Sequence, residues 1–160
     1  MNRTQRSAAR TICFWTKTTP NPTAYARDHL RRALEALSMR GEVLDDTILA
    51  ASEIIANATE HALGPYELRL RTSRGLIQIE VHDRGRQLPL LPCADAAVVP
   101  VVGDDFEGRS DGAVSQLSER GRGLALAHSL VDGRLSSRRT PMGKAVNIAV
   151  SVPHSSALQG

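Results

Sequence analysis

Aromatic side chains are nearly missing from this chain of 160 residues: Phe, Trp and Tyr together make up 3%. At an ordinary hydrophobic share of 41%, the core must therefore be built from Ala, Leu, Ile and Val. Lysine is scarce too, with 2 against 18 arginines in a basic total of 20. There are two cysteines, Cys13 and Cys93, with no Cys-x-x-Cys spacing and no histidine beside them, which argues against a zinc site. No run of 18 apolar residues occurs, so no membrane-spanning segment and no membrane partner is expected. The stretch from Met1 to Arg10 is polar and lacks the apolar centre of a secretory leader, so a cytoplasmic location is the expectation. The net charge of +3 is mild, and acidic residues lie among the basic ones. Nucleic-acid binders gather basic residues on one face, so no direct nucleic-acid partner is expected.

The length favours one domain, large enough to bury about two thirds of its unfolded surface. Residues 1–10 read as a disordered arm, 11–153 as the domain and 154–160 as a frayed tail. Thr11 to Lys17 is rich in strand formers. Pro22 suits the first turn of a helix running to about Met39, with Ala26, Leu30, Ala33, Leu34 and Leu37 at helical spacing and Gly41 as its stop. Asp45 is the expected N-cap of a second helix, Asp46 to Leu63, halted by Gly64-Pro65.

The period then changes to two. Leu68, Leu70 and Thr72 alternate with charged neighbours, and Ile77, Ile79 and Val81 follow after Ser73-Arg74-Gly75, which predicts a hairpin with one wet face. Arg84 to Arg120 shows no period and is long enough to suggest a functional or disordered loop. A third helix is expected over Arg122 to Val131. A second hairpin follows over Arg134 to Arg139 and Val146 to Val152, the latter burying Val146, Ile148, Val150 and Val152. Grouped helices and antiparallel strands predict an α+β fold, a two-layer sandwich with helices on one face of a mostly antiparallel sheet.

Three short motifs stand out. Glu53 and Asn57 are four apart, so they share one face of the second helix. They could simply face solvent, or Asn57 could ligate Mg2+ while Glu53 orients or deprotonates a nucleophile. Asp83-Arg84-Gly85 closes a strand; it could be turn chemistry, or a carboxylate facing an adenine amino group beside a glycine that lets the base approach. Gly121-Arg122-Gly123-Leu124 opens the third helix. It could be an ordinary Gly-rich loop, or a phosphate site at a helix N-terminus.

In this order and spacing, the three resemble the N box, the Asp-x-Gly box and the Gly-rich lid-end box of the GHKL ATPase/kinase superfamily. Gly143-Lys144-Ala145-Val146 resembles its last box. The short chain, without a helix pair carrying a phospho-accepting His, and the Glu-x-x-x-Asn form of the N box resemble the anti-sigma factor serine kinases. The resemblance spans about Arg10 to Val152. It implies a Bergerat-type ATP-binding sandwich with ATP and Mg2+ as cofactors and a lid over about Arg86 to Arg120. It implies Asn57 as metal ligand, Glu53 as base, Asp83 and Gly85 at adenine, and Gly121, Arg122, Gly123 and Leu124 at the phosphates. It implies, as partners, a sigma factor, an anti-sigma factor antagonist phosphorylated on serine or threonine, and a second copy in a homodimer. A nucleotide-sensing or partner-binding module without kinase activity is the alternative. The chain departs from the superfamily pattern at Gln87, where a second Gly is usual, at Glu60, often basic, and at Ala145 and Val146, which lack the usual hydroxyl. The acidic Asp104-Asp105-Phe106-Glu107 cluster would sit in the lid.

Overall fold

The structure is a computed structural model and describes residues 8–73, 75–91, 122–132 and 134–152. Residues 1–7 of the expected arm, 92–120 of the expected lid, Gly121, Cys93 and the tail 154–160 lie outside them. The chain runs β1 (Arg10–Trp15), α1 (Pro22–Ala36), α2 (Gly41–His61), β2 (Tyr66–Ser73), β3 (Leu76–Asp83), α3 (122–130), β4 (Leu135–Thr140) and β5 (Gly143–Ser151). The strands form one five-stranded sheet in the order β1-β2-β3-β5-β4, every pair antiparallel. Helix α1 packs on α2 and β1, and α2 packs on β3 and β5. The expected α+β sandwich is therefore present. No helix among the described residues is long and apolar enough to cross a membrane.

Helix α1 begins at Pro22, whose fixed φ suits a first helical turn, behind Asn21 in the left-handed conformation. Its buried residues Ala26, Leu30 and Leu34 recur every four positions. Full burial of each leucine contributes about 1.5–3 kcal/mol. The helix stops at Ala36, earlier than the spacing predicts. Ser38 takes a left-handed turn (φ 65°), and the Met39 N–H returns to the Leu34 carbonyl at 3.1 Å, so that Met39 drops into the core.

Gly41 does not end α1; it starts α2. The apolar stripe reaches back through Leu44, Thr47 and Ile48, all buried, which extends α2 a turn beyond the expected start. Asp45 is consequently inside the helix rather than its N-cap, and its carboxylate instead meets Arg31 at 3.2 Å on the surface. The far end of α2 is pinned by two aromatic residues. Trp15 donates its indole N–H to Thr59 Oγ1 at 2.9 Å and stacks on Tyr66 with ring centroids 5.5 Å apart. The Tyr66 hydroxyl donates to the Ala62 carbonyl at 2.8 Å.

In β3, Ile77, Ile79 and Val81 face the helices and are buried. In β5, Val146 and Ile148 do the same, while Val150 and Val152 pack partly buried against the core. The other face of the sheet is polar, as predicted, but not uniformly wet. Glu80 is buried there beneath His82, whose Nε2 lies 2.8 Å from its carboxylate, and Arg138, at 3.1 Å. Burial alone would raise the Glu80 pKa. The His82 hydrogen bond and the charges of Arg138, His82 and Arg71 outweigh it and hold Glu80 below the ordinary carboxylate range.

Candidate functional site

Strands β3 and β5 pair so that Asp83 lies directly opposite Lys144. Both continue the inward alternation of their strands, so two charges end a face that is otherwise aliphatic. The Lys144 ammonium donates to Asp83 Oδ1 at 2.9 Å, with side chains 8% and 0% exposed. The Gly85 N–H donates to the same oxygen at 2.7 Å. The second oxygen, Asp83 Oδ2, is buried and has no hydrogen-bond partner. Buried polar groups are nearly always satisfied, and an unpaired buried acceptor costs about 1–3 kcal/mol. Tyr66 senses this carboxylate: burial first, then the Asp83 charge, raises its phenol pKa.

Beside this pair opens a cavity of about 360 Å³, within the range of small-molecule sites. Asn57 of α2, Ala62 just past its end, Gly85 and Gln87 after β3, Leu124 of α3 and Lys144 of β5 are among its lining residues. A Cβ on Gly85 would stand 2.7 Å from Lys144 Nζ and 3.0 Å from Asp83 Oδ1. Only glycine lets the chain pass the ion pair this closely.

The residues singled out from the sequence distribute as follows. Asn57, Gly85 and Leu124 share the cavity wall, and Asp83 lies behind Gly85 and Lys144. Glu53, one turn before Asn57 on α2, meets the first turn of α3: a Cβ on Gly123 would stand 2.6 Å from Glu53 Oε2. A carboxylate at a helix N-terminus is favoured by the exposed N–H groups and the helix dipole. Arg122 is exposed, and Gly121 lies outside the described residues. Glu60 is exposed, 3.7 Å from His61 Nε2, and is not part of the cavity wall. Gln87 does line the cavity, where the superfamily pattern has glycine.

Lys144 is the residue that sequence reasoning passed over. It stands directly after Gly143 in the last box, one of 2 lysines in an arginine-rich chain, and that rarity was the available signal. Ala145 is fully buried on the opposite side of β5 from Lys144, so a hydroxyl there would not reach the cavity.

An α+β sandwich with a cleft between its helices and the ends of two central strands, lined by an amide, a glycine turn and a lysine backed by a buried carboxylate, defines a class of ligand-binding sandwich domains. The chain belongs to the histidine kinase-like ATPase domain family, which matches residues 16–150. This agrees with the GHKL superfamily resemblance carried by the motif boxes. Among solved structures the chain is similar to the histidine kinase domain from Erythrobacter litoralis EL346 blue-light activated histidine kinase. Identity is 21% and the TM-score 0.44, over 82% of this chain and 61% of that one. The chain thus spans less than two thirds of the length of that structure. Comparison with curated proteins gave no match.

Proposed function

We propose that the cavity binds ATP with Mg2+, and that the chain is an anti-sigma factor serine kinase. The observation that carries the nucleotide reading is Asp83 Oδ2, a buried acceptor left unpartnered behind a cavity wall that Asn57 shares. An adenine amino group supplies the missing donor. Asn57 supplies one carbonyl oxygen to Mg2+, which keeps several waters and takes its other ligands from phosphate oxygens. Among the described residues no group of three or more His, Cys, Asp or Glu side chains is placed to hold a metal, so the metal depends on the nucleotide. Mg2+ would neutralise charge on the phosphates. The first turn of α3, with Gly123 and Leu124, offers backbone N–H groups to them.

Glu53 is the proposed base. It lies one helical turn from Asn57 and against the N-terminus of α3, on the side where the phosphates would end. Its task would be to accept the proton of a serine or threonine hydroxyl on the antagonist protein. Positioning and charge neutralisation would do most of the remaining work. The sigma factor, the antagonist and the homodimer are inferred from the motif resemblance. The test combines calorimetry with a phosphoryl-transfer assay. Glu53→Gln should keep Mg·ATP affinity within a few-fold and lose transfer of the γ-phosphate to an antagonist serine. Asn57→Ala should lose Mg·ATP binding. Full transfer activity in Glu53→Gln contradicts the base role; unchanged affinity in Asn57→Ala contradicts the metal role.

A further inference from the structure

Among the described residues, Lys144 is the buried basic side chain; the arginines all keep more contact with water. Burying an ammonium is costly unless it is paired and its protons are used. Pairing with Asp83 Oδ1 uses one of three N–H donors. Lys144 also lines the cavity, and its ammonium lies in the corner that Gly85 keeps clear by lacking a Cβ. The cavity wall therefore carries a residue with N–H donors to spare, Lys144, and behind that wall lies an unused acceptor, Asp83 Oδ2.

We propose that Lys144 is a base-reading residue that donates a hydrogen bond to N1 of adenine while Asp83 Oδ2 accepts from the exocyclic amino group. The proposal rests on the ATP reading above. The six-membered edge of adenine carries a donor, the amino group, beside an acceptor, N1. An acceptor beside a donor is its complement. Hypoxanthine and guanine reverse this edge, with a carbonyl oxygen and an N1–H, so both contacts turn repulsive or unpaired. Discrimination then comes from attraction to one base and repulsion of the others. The five-membered edge of adenine also places an acceptor, N7, beside the amino group. That edge lies near the sugar, whereas the Asp83–Lys144 pair is buried, and the edge opposite the sugar enters deepest. N1 is the atom assigned on that ground.

The experiment is calorimetric titration of the full chain with Mg·ATP, Mg·1-deaza-ATP (a C–H in place of N1) and Mg·7-deaza-ATP, repeated on Lys144→Met. A hydrogen bond from a charged donor corresponds to about 10- to 100-fold in affinity. The wild-type chain should bind 1-deaza-ATP weaker than ATP by that factor and 7-deaza-ATP about as well as ATP. In Lys144→Met, ATP itself should weaken and the gap between ATP and 1-deaza-ATP should close. Equal affinity of the wild type for ATP and 1-deaza-ATP overturns the assignment while leaving the ATP reading intact. So does a loss confined to 7-deaza-ATP, or an undiminished gap in Lys144→Met. Absence of any ATP binding overturns both. Should Lys144→Met fail to fold, the wild-type comparison of the three nucleotides decides alone.

Discussion

Lys144 and Asp83, 61 positions apart in sequence, meet 2.9 Å apart at the buried end of two paired strands, and only one carboxylate oxygen is engaged. Removing one member of such a pair strands a charge in the interior. Asp83→Ala is therefore expected to lower the unfolding free energy by roughly 3–5 kcal/mol. The double replacement Asp83→Leu with Lys144→Met should recover much of that loss, because no buried charge is left over. Urea denaturation of the three proteins tests this. An Asp83→Ala chain as stable as wild type contradicts the burial of the pair.

Gly85→Ala acts on both the site and the fold. Its Cβ would stand 2.7 Å from Lys144 Nζ, the movable end of a flexible side chain, and 3.3 Å from Ala62 Cβ at the cavity wall. The ammonium cannot shift without straining its buried pair with Asp83, so stability should also fall, by about 1–3 kcal/mol as for an overpacked site. The shifted ammonium and the added methyl both enter the cavity, so the thermal shift induced by Mg·ATP should fall by more than half. A full-sized shift contradicts the placement of Gly85 at the ligand.

Much of the fold was legible because period encodes it. The alternation of Ile77, Ile79 and Val81 and the four-residue recurrence of Ala26, Leu30 and Leu34 each announce their element without a partner. The break between α1 and α2 was not legible. Glycine is the usual left-handed residue, so Gly41 drew the turn that Ser38 makes. The site was legible as a set of residues but not as a geometry. The register of β3 against β5, which puts Asp83 opposite Lys144, and the approach of Gly123 to Glu53 are set by packing between elements far apart in sequence.

Stability should fall in acid through the outer face of the sheet. The hydrogen bond from Arg69 first, then that from Thr11 and the Arg69 and His82 charges, outweigh burial and hold Glu67 below its ordinary pKa; Glu80 is lowered as well. A carboxyl whose folded pKa is depressed stabilises the fold at pH above its unfolded value, about 4.3 for Glu. That stabilisation is lost as pH falls through the folded value. Unfolding free energy measured from pH 7 down to 3 should drop in the acid range, and Glu80→Gln should show a shallower acid slope. An identical slope removes Glu80 from this role.

Cys13 should be inert in the native chain. Its thiol is buried, and desolvation pushes its pKa up to about 11. The thiolate is the reactive form, so in a Cys93→Ser background alkylation at pH 8 should proceed only as fast as the chain unfolds, and become rapid in denaturant. Because the folded pKa is raised, this thiol's contribution to stability is whole below its unfolded value, near 8.5, and declines as pH climbs towards 11. Rapid native-state alkylation contradicts the burial.

The most direct test of the adenine site needs no mutation. Mg·ATP and Mg·ITP differ only at the six-membered edge of the base, where inosine triphosphate puts an oxygen acceptor in place of the amino donor. The unpartnered Asp83 Oδ2 can accept from the first and only repels the second. Calorimetric titration of the wild-type chain should give saturable binding of Mg·ATP and at least about 10-fold weaker binding of Mg·ITP, the size of one hydrogen bond to a charged acceptor. Equal affinity for the two, or no binding of either, contradicts the site.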